Sequence, residues 1–285
     1  MTDQQLTSPP PAGPGAPEVV PHAPAPRRRP FAERRVLRAT LRWTAAVAVF
    51  AAVGTATAYG VTGLERTDVP GLATEPDGRW DYPPIVRPPL PSGSPAPFTE
   101  SNKARTHSAD LRALLLPAPA GAVENKALRG ADGWLDTERY LAEYAEGYDR
   151  DTLRAKLRDY GLRHVAARGW TTPDGTRTRI YLLQFGTETF SELLLAAEAV
   201  PYTSPSRQVR GAAEVIYDEA FPQRSVVTDV KSTPYVEAKP YGVEQDRFAH
   251  IAAGDVYAVV FQSRKGSAAA VPFQQTVTLQ SQLLG

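Results

Sequence analysis

Beyond residue 109 the chain switches between two hydrophobic periods. Apolar residues recurring every three or four positions predict helices with one buried face; alternating or continuous apolar runs of about eight positions predict strands. Asp136 is placed to cap a first helix carrying Leu141, Tyr144 and Tyr148 on one side, with Glu138, Glu143 and Glu146 in its first turns. Asp151 is placed to cap Thr152 to Tyr160, where Leu153, Leu157 and Tyr160 share a face and Gly161 supplies a left-handed stop. Residues 162–171 and 176–185 read as strands joined by the turn Thr172-Pro173-Asp174-Gly175, and 190–200 as a helix ended by Pro201. Residues 225–230 read as a strand, and 247–253 and 256–263 as a hairpin turning at Gly254-Asp255. The last element, 271–284, reads as a helix with Pro272 near its start and Phe273, Val277 and Leu284 on one face.

These elements predict an α+β fold, an antiparallel sheet with packed helices. His164-Val-Ala-Ala167 and His250-Ile-Ala-Ala253 each open a strand–hairpin–strand–helix stretch. The match suggests two repeated ββα units, neither with enough apolar surface to stand alone, that complete one sheet side by side.

The first third of the chain has no such periodicity. Eighteen of the 27 prolines fall in residues 1–97, and dense proline excludes helices and sheet interiors. Residues 1–42 therefore read as a disordered cytoplasmic tail, rich in Pro and Arg. Its seven arginines against Asp3, Glu18 and Glu33 leave it at +4. Residues 43–64 carry no charge and would span about 33 Å as a helix, enough for one crossing of a bilayer. Arginines before this segment and Glu65 and Asp68 after it predict an N-terminus inside the cell and a C-terminal part outside. The apolar run is weak, being mostly Ala, Thr and Gly, and Ala56-Thr57-Ala58 also fits a cleavage site, so a removed signal peptide is the alternative to a retained anchor. Ala52, Ala56 and Gly60 form a small-residue row of the kind that packs spans together, but in so small-residue-rich a segment such rows arise by composition alone. Residues 65–108 hold nine more prolines and read as an extended extracytoplasmic linker, leaving 109–285 as the folded domain.

Composition narrows the chemistry. With no Cys there is no disulfide, thiolate metal site, thiol nucleophile or lipidated N-terminal Cys. Beyond residue 64, 25 cations against 28 acids leave −3, so no nucleic-acid partner is expected. The sequence has no nucleophile elbow, phosphate loop, dinucleotide fingerprint or zinc-helix motif; no catalytic residue, cofactor or metal is expected. The acids Glu143, Glu146, Asp149 and Asp151 lack the spacing of a calcium loop and read as capping and a solvated face. Two candidate sites remain. His164 and His250, at matching points of the two ββα stretches, would approach each other if their strands were neighbours and could then bind a metal or report acidity. Tyr202, Tyr217, Tyr235 and Tyr241, with Phe221, crowd the proline-interrupted segment 201–245, where aromatics either line a pocket for a small molecule or lipid or simply roof the sheet.

The segments Arg179-Ile-Tyr-Leu-Leu-Gln-Phe185 and Asp255-Val-Tyr-Ala-Val-Val-Phe-Gln262, each followed by a helix, resemble the strand–helix units of actinobacterial lipoproteins and kinase sensor domains, some of them PsbP-like. Tail, span and linker resemble uncharacterised actinobacterial single-pass envelope proteins. The resemblance implies an extracytoplasmic binding or sensing domain of unknown ligand, without catalytic residues; anchoring would be by the span, since a lipid-bearing Cys is missing. The alternative is a structural or assembly partner that binds other envelope proteins.

Overall fold

The structure, a computed structural model, describes residues 31–62, 77–222 and 227–285. The chain divides into two units, residues 1–74 and 75–285. In the first, helix α1 covers Phe31–Thr62, about 48 Å at 1.5 Å per residue. Within it Arg35–Gly60 is long and apolar enough to cross a membrane, and among the described residues none of it is buried. The hydroxyls of Thr40, Thr44, Thr55 and Thr57 each donate to the carbonyl four residues back, at 2.7–3.0 Å. The bonds of Thr44, Thr55 and Thr57 satisfy hydroxyls inside the apolar run, which lowers the cost of placing them in lipid. Helix replaces the expected tail from Phe31 on, because Ala32 to Arg42 has no proline and continues the span without a break. Residues 1–30 of that tail lie outside the described residues.

In the second unit the elements are β1 (Val123–Glu124), α2 (Thr137–Leu141), α3 (Tyr148–Asp159), β2 (His164–Thr171), β3 (Arg177–Gln184), α4 (Glu188–Glu198), β4 (Val215–Tyr217), β5 (Val230–Glu237), β6 (Glu244–Ala253), β7 (Val256–Lys265) and α5 (Ala270–Leu284). The strands form one antiparallel sheet of seven, in the order β1-β2-β3-β7-β6-β5-β4. Its middle strand, β7, is buried from Val256 to Ser263, which explains why that segment reads as a continuous apolar run.

Alternate residues feed two cores. Val165, Tyr181, Leu183, Phe248, Tyr257, Val259 and Phe261 face one side, under Leu141 of α2, Leu153 and Leu157 of α3, and Leu194 and Leu195 of α4. Ala166, Ile180, Leu182, Ile251, Ala258 and Val260 face the other, under Phe273, Val277 and Leu284 of α5 and a single helical turn at Leu111–Leu114. Both ββα units are present, but α4 and α5 cover opposite faces. The matched residues also point opposite ways, since Val165 belongs to the first core and Ile251 to the second.

Several boundaries differ from the sequence reading. The helix capped by Asp136 ends at Leu141, so Glu143, Tyr144 and Glu146 lie outside it and Tyr148 belongs to α3. Helix α3 starts at Tyr148 rather than after Asp151, with Gly147 at its N-cap and Asp149 and Asp151 in its first turn. The strand expected at 225–230 survives only at Val230, where β5 begins. Residues 225 and 226 lie outside the described set, and 227–229 lead into the strand through a turn. β5 itself was hidden by Pro234. In the structure its carbonyl accepts from Asp218 N–H at 3.0 Å, just past the end of the short β4. Its missing N–H faces the same way, beyond the last ladder pair, so no sheet bond is lost.

The largest correction concerns the linker expected at 65–108. Residues 63–76 lie outside the described set, but from Trp80 the chain is laid along the domain. Trp80 exchanges backbone bonds with the Gln275 side chain at 2.8 and 2.9 Å, the Tyr82 hydroxyl meets Thr276 Oγ at 2.8 Å, and Arg87 donates to the Gln282 carbonyl. Tyr82, Ile85 and Phe98 pack on the second core. Proline keeps this strap extended, as expected; the aromatics between the prolines give it an apolar side that α5 covers.

The strap ends on a buried bolt. Asp255, at the β6–β7 turn, accepts from the backbone N–H of His107 at 2.8 Å and from its ring Nδ1 at 2.7 Å, while Gln184 donates to its other oxygen at 3.1 Å. His107 Nε2 reaches the Leu284 carbonyl at 2.9 Å, so the ring ties the strap to the hairpin and to the end of α5. Asp255 N–H in turn donates to the Arg105 carbonyl at 3.0 Å.

Candidate functional site

The two histidines are not brought together. β2 and β6 are separated by β3 and β7, and the two rings belong to opposite faces. His164 is exposed and stacks on Trp134 at 4.5 Å between centroids. His250 is buried in the first core with Nδ1 against the Tyr257 hydroxyl, and burial pushes its imidazole down to about 3. Among the described residues no group of three or more His, Asp or Glu is placed to hold a metal ion.

Three of the four tyrosines do assemble. Tyr217 and Tyr235 are a register pair between β4 and β5, with rings edge-on at 6.4 Å, and Tyr202 lies 4.6 Å from Tyr217. Tyr235 is fully buried, and burial raises its hydroxyl to about 12. Tyr241 stands apart, under Lys239 and bonded to Glu214. Phe221 packs on Phe273 in the second core.

A polar cleft of about 520 Å³ lies at one end of the sheet, where the first core's rows run out. On β3 the row Leu183, Tyr181 continues as Arg179 and Arg177. On β6 Phe248 is followed by Asp246 and Glu244, and on β7 Phe261 by Ser263. Register sets Arg177 opposite Ser263 and Ser263 opposite Asp246, so one cross-strand row holds a cation, a hydroxyl and a carboxylate. The Arg179 guanidinium lies over the Phe261 ring at 5.6 Å and donates to Glu143 at 2.8 Å and to Ser263 Oγ at 3.3 Å. Ser263 donates to Asp246, and the Tyr181 hydroxyl donates to Glu143. Desolvation holds the Asp246 carboxyl above the ordinary range, partly offset by the Ser263 bond.

The fourth wall comes from the loop before β4. A bridge between Tyr144 and Val209 and a 2.8 Å bond from Arg210 N–H to the Glu143 carbonyl place Arg210 at the rim beside Gly211. Arg177 pairs with Glu244, whereas the Arg210 guanidinium has no ion pair among the described residues. The cleft thus offers carboxylates, hydroxyls and one uncommitted cation on a fixed sheet end. Half-buried charges cost stability where apolar residues would continue the core, and such costs gather at sites.

Sequence reading singled out only Glu143 of this set, as a member of an acidic cluster. Arg177, Arg179, Arg210, Asp246 and Ser263 lie in separate segments that only the β3–β7–β6 register brings together. Their one local signal is a polar residue where the strand alternation calls for an apolar one.

No family model matches the chain, and no curated protein does. Among solved structures it is similar to the extracellular domain of PknH from Mycobacterium tuberculosis, at 8% identity over 45% of this chain and 68% of that one, with a TM-score of 0.28.

Proposed function

We propose that the chain is a single-pass envelope protein whose folded unit lies outside the cytoplasm and binds a small polar ligand in the cleft at Arg179, Arg210, Glu143 and Asp246. Anchoring is supported by Arg35–Gly60, the apolar stretch of α1. Orientation is supported by the arginines before the span and Glu65 and Asp68 after it. The observation that carries ligand binding is the convergence of opposite charges on one concave surface where the hydrophobic rows stop. A ligand bearing both an anionic and a cationic group fits it, with Arg210 free to take the anion and Asp246 facing the cation.

The test is thermal-shift screening of the full chain in lipid nanodiscs against free amino acids, dipeptides and dicarboxylates at about 10 mM. A binder should raise the melting temperature by mass action, and Arg210→Ala, at an exposed side chain, should abolish the shift without lowering the unliganded melt. No shift from any compound, or a shift that survives both Arg210→Ala and Asp246→Asn, would contradict the assignment.

A further inference from the structure

β4 is the last strand of the sheet and only three residues long. Its alternation turns Val215 inward, leaves Ile216 exposed and half-buries Tyr217. Behind Tyr217, the buried Tyr235 donates its hydroxyl to the Val200 carbonyl at 3.1 Å. The chain leaving α4 turns on that same carbonyl, which also accepts from the Thr203 N–H at 3.3 Å and the Thr203 hydroxyl at 2.9 Å. This turn holds Tyr202 at φ +63, a left-handed conformation that costs a residue with a side chain on the order of 1 kcal/mol. It leaves Tyr202 73% exposed, its ring tilted 46° to the Tyr217 ring. Fold stability alone would favour Gly or Asn here.

Beside the two rings runs a groove of about 470 Å³. Beside the tyrosines it is lined by the polar side chains of Thr203, Ser204, Asp218 and Glu219, and among the described residues no Lys or Arg lines it. Asp218 is held by Arg247 at 2.8 Å, whereas Glu219 has no ion pair among the described residues. We propose that this groove binds a neutral carbohydrate, independently of the ligand in the polar cleft. A pyranose presents an apolar C–H face that packs on an exposed aromatic ring and a rim of hydroxyls that needs acceptors and donors, the two things the groove supplies. With Asp218 neutralised by Arg247, the Glu219 carboxylate is the charge that disfavours phosphate, sulfate and uronate groups. A three-residue edge offers too little backbone for strand addition by a protein partner. The Tyr235–Val200 bond fixes the platform before any ligand arrives, which lowers the entropy cost of binding.

The test is isothermal titration of the full chain in nanodiscs with the neutral trisaccharides chitotriose, cellotriose and maltotriose, and with trigalacturonate as the anionic control. At least one neutral sugar should bind with a dissociation constant below about 1 mM, and Tyr202→Ala should weaken it at least tenfold. Tyr202→Gly should weaken binding equally while raising the melting temperature, since glycine accepts the left-handed turn; this separates a lost contact from a lost fold. Failure of all three neutral sugars to bind at about 10 mM overturns the proposal. So does a preference for trigalacturonate, or binding that Tyr202→Ala leaves unchanged. Arg210→Ala should leave sugar binding intact, so failure of the cleft assignment and failure of this one are read separately.

Discussion

Replacing Asp255 by Asn tests whether the proline-rich strap is part of the fold. Asp255 is fully buried and its carboxylate receives three donors, the His107 N–H, the His107 ring and the Gln184 amide. Asn keeps the size but loses the charge and turns one acceptor into a donor, so either His107 or Gln184 faces an N–H. A hydrogen bond to a charged group contributes about 1.5–3 kcal/mol and a buried donor left unmet costs about 1–3, giving a loss of about 3 kcal/mol. For a folded unit of roughly 200 residues that lowers the melting temperature by about 6–12 °C. The same variant should open the trypsin sites after Lys103 and Arg105, because the Arg105 carbonyl is held by the Asp255 backbone. Circular dichroism melts and timed proteolysis read both effects. A melt within about 1 °C of the unaltered protein, with unchanged cleavage after Lys103 and Arg105, would refute the bolt and return the segment to a free linker.

Other substitutions probe the same physics elsewhere. At Gly254, φ is +51 and an added Cβ would lie 2.2 Å from the Arg105 carbonyl oxygen, so Gly254→Ala should also loosen the strap, read by proteolysis after Arg105; unchanged resistance would contradict the close approach. Glu198 is buried between Lys156 at 3.0 Å and Arg207, and Glu198→Ala, by stranding Arg207, should cost about 3–5 kcal/mol in urea unfolding; a loss under about 1 kcal/mol would mean the network is not needed. His250 stays neutral in the fold because burial lowers it to about 3, while the unfolded chain protonates it near pH 6.5. The unfolded state therefore binds the extra proton between those values, and stability should fall as pH drops through that window, at up to about 1.4 kcal/mol per unit. His250→Gln should flatten the profile between pH 6 and 4, and parallel profiles would refute the assignment.

The fold's class and most of its elements were legible because they are written in local chemistry. Asp136 does cap α2, accepting from the Glu138 N–H at 2.8 Å, Gly161 does take a left-handed conformation at φ +70, and both long hairpins turn at the predicted residues. What escaped was set by contacts distant in sequence. β5 lay inside the proline-interrupted segment 201–245, and Pro234 is tolerated in it because β4 is too short to need its N–H. Prolines in 77–108 argued correctly for an extended chain, but not for where it would lie, since Tyr82 and His107 find their partners some 150 to 195 positions away. The tyrosines were recoverable because three of them sit close to one turn and one edge. Histidine pairing failed on a single fact of topology: the hairpins meet through their second strands, β3 and β7, which leaves β2 and β6 two strands apart.

In the proposed topology α1 crosses the membrane once and carries the folded unit to the outside. Alkaline phosphatase, which matures only in an oxidising compartment, and a cytoplasmic fluorescent reporter can each be fused after Gly285 and expressed in a bacterial host. That topology should give high phosphatase activity and no fluorescence, with the phosphatase fusion staying in the membrane fraction. Bright fluorescence with an inactive phosphatase would contradict it.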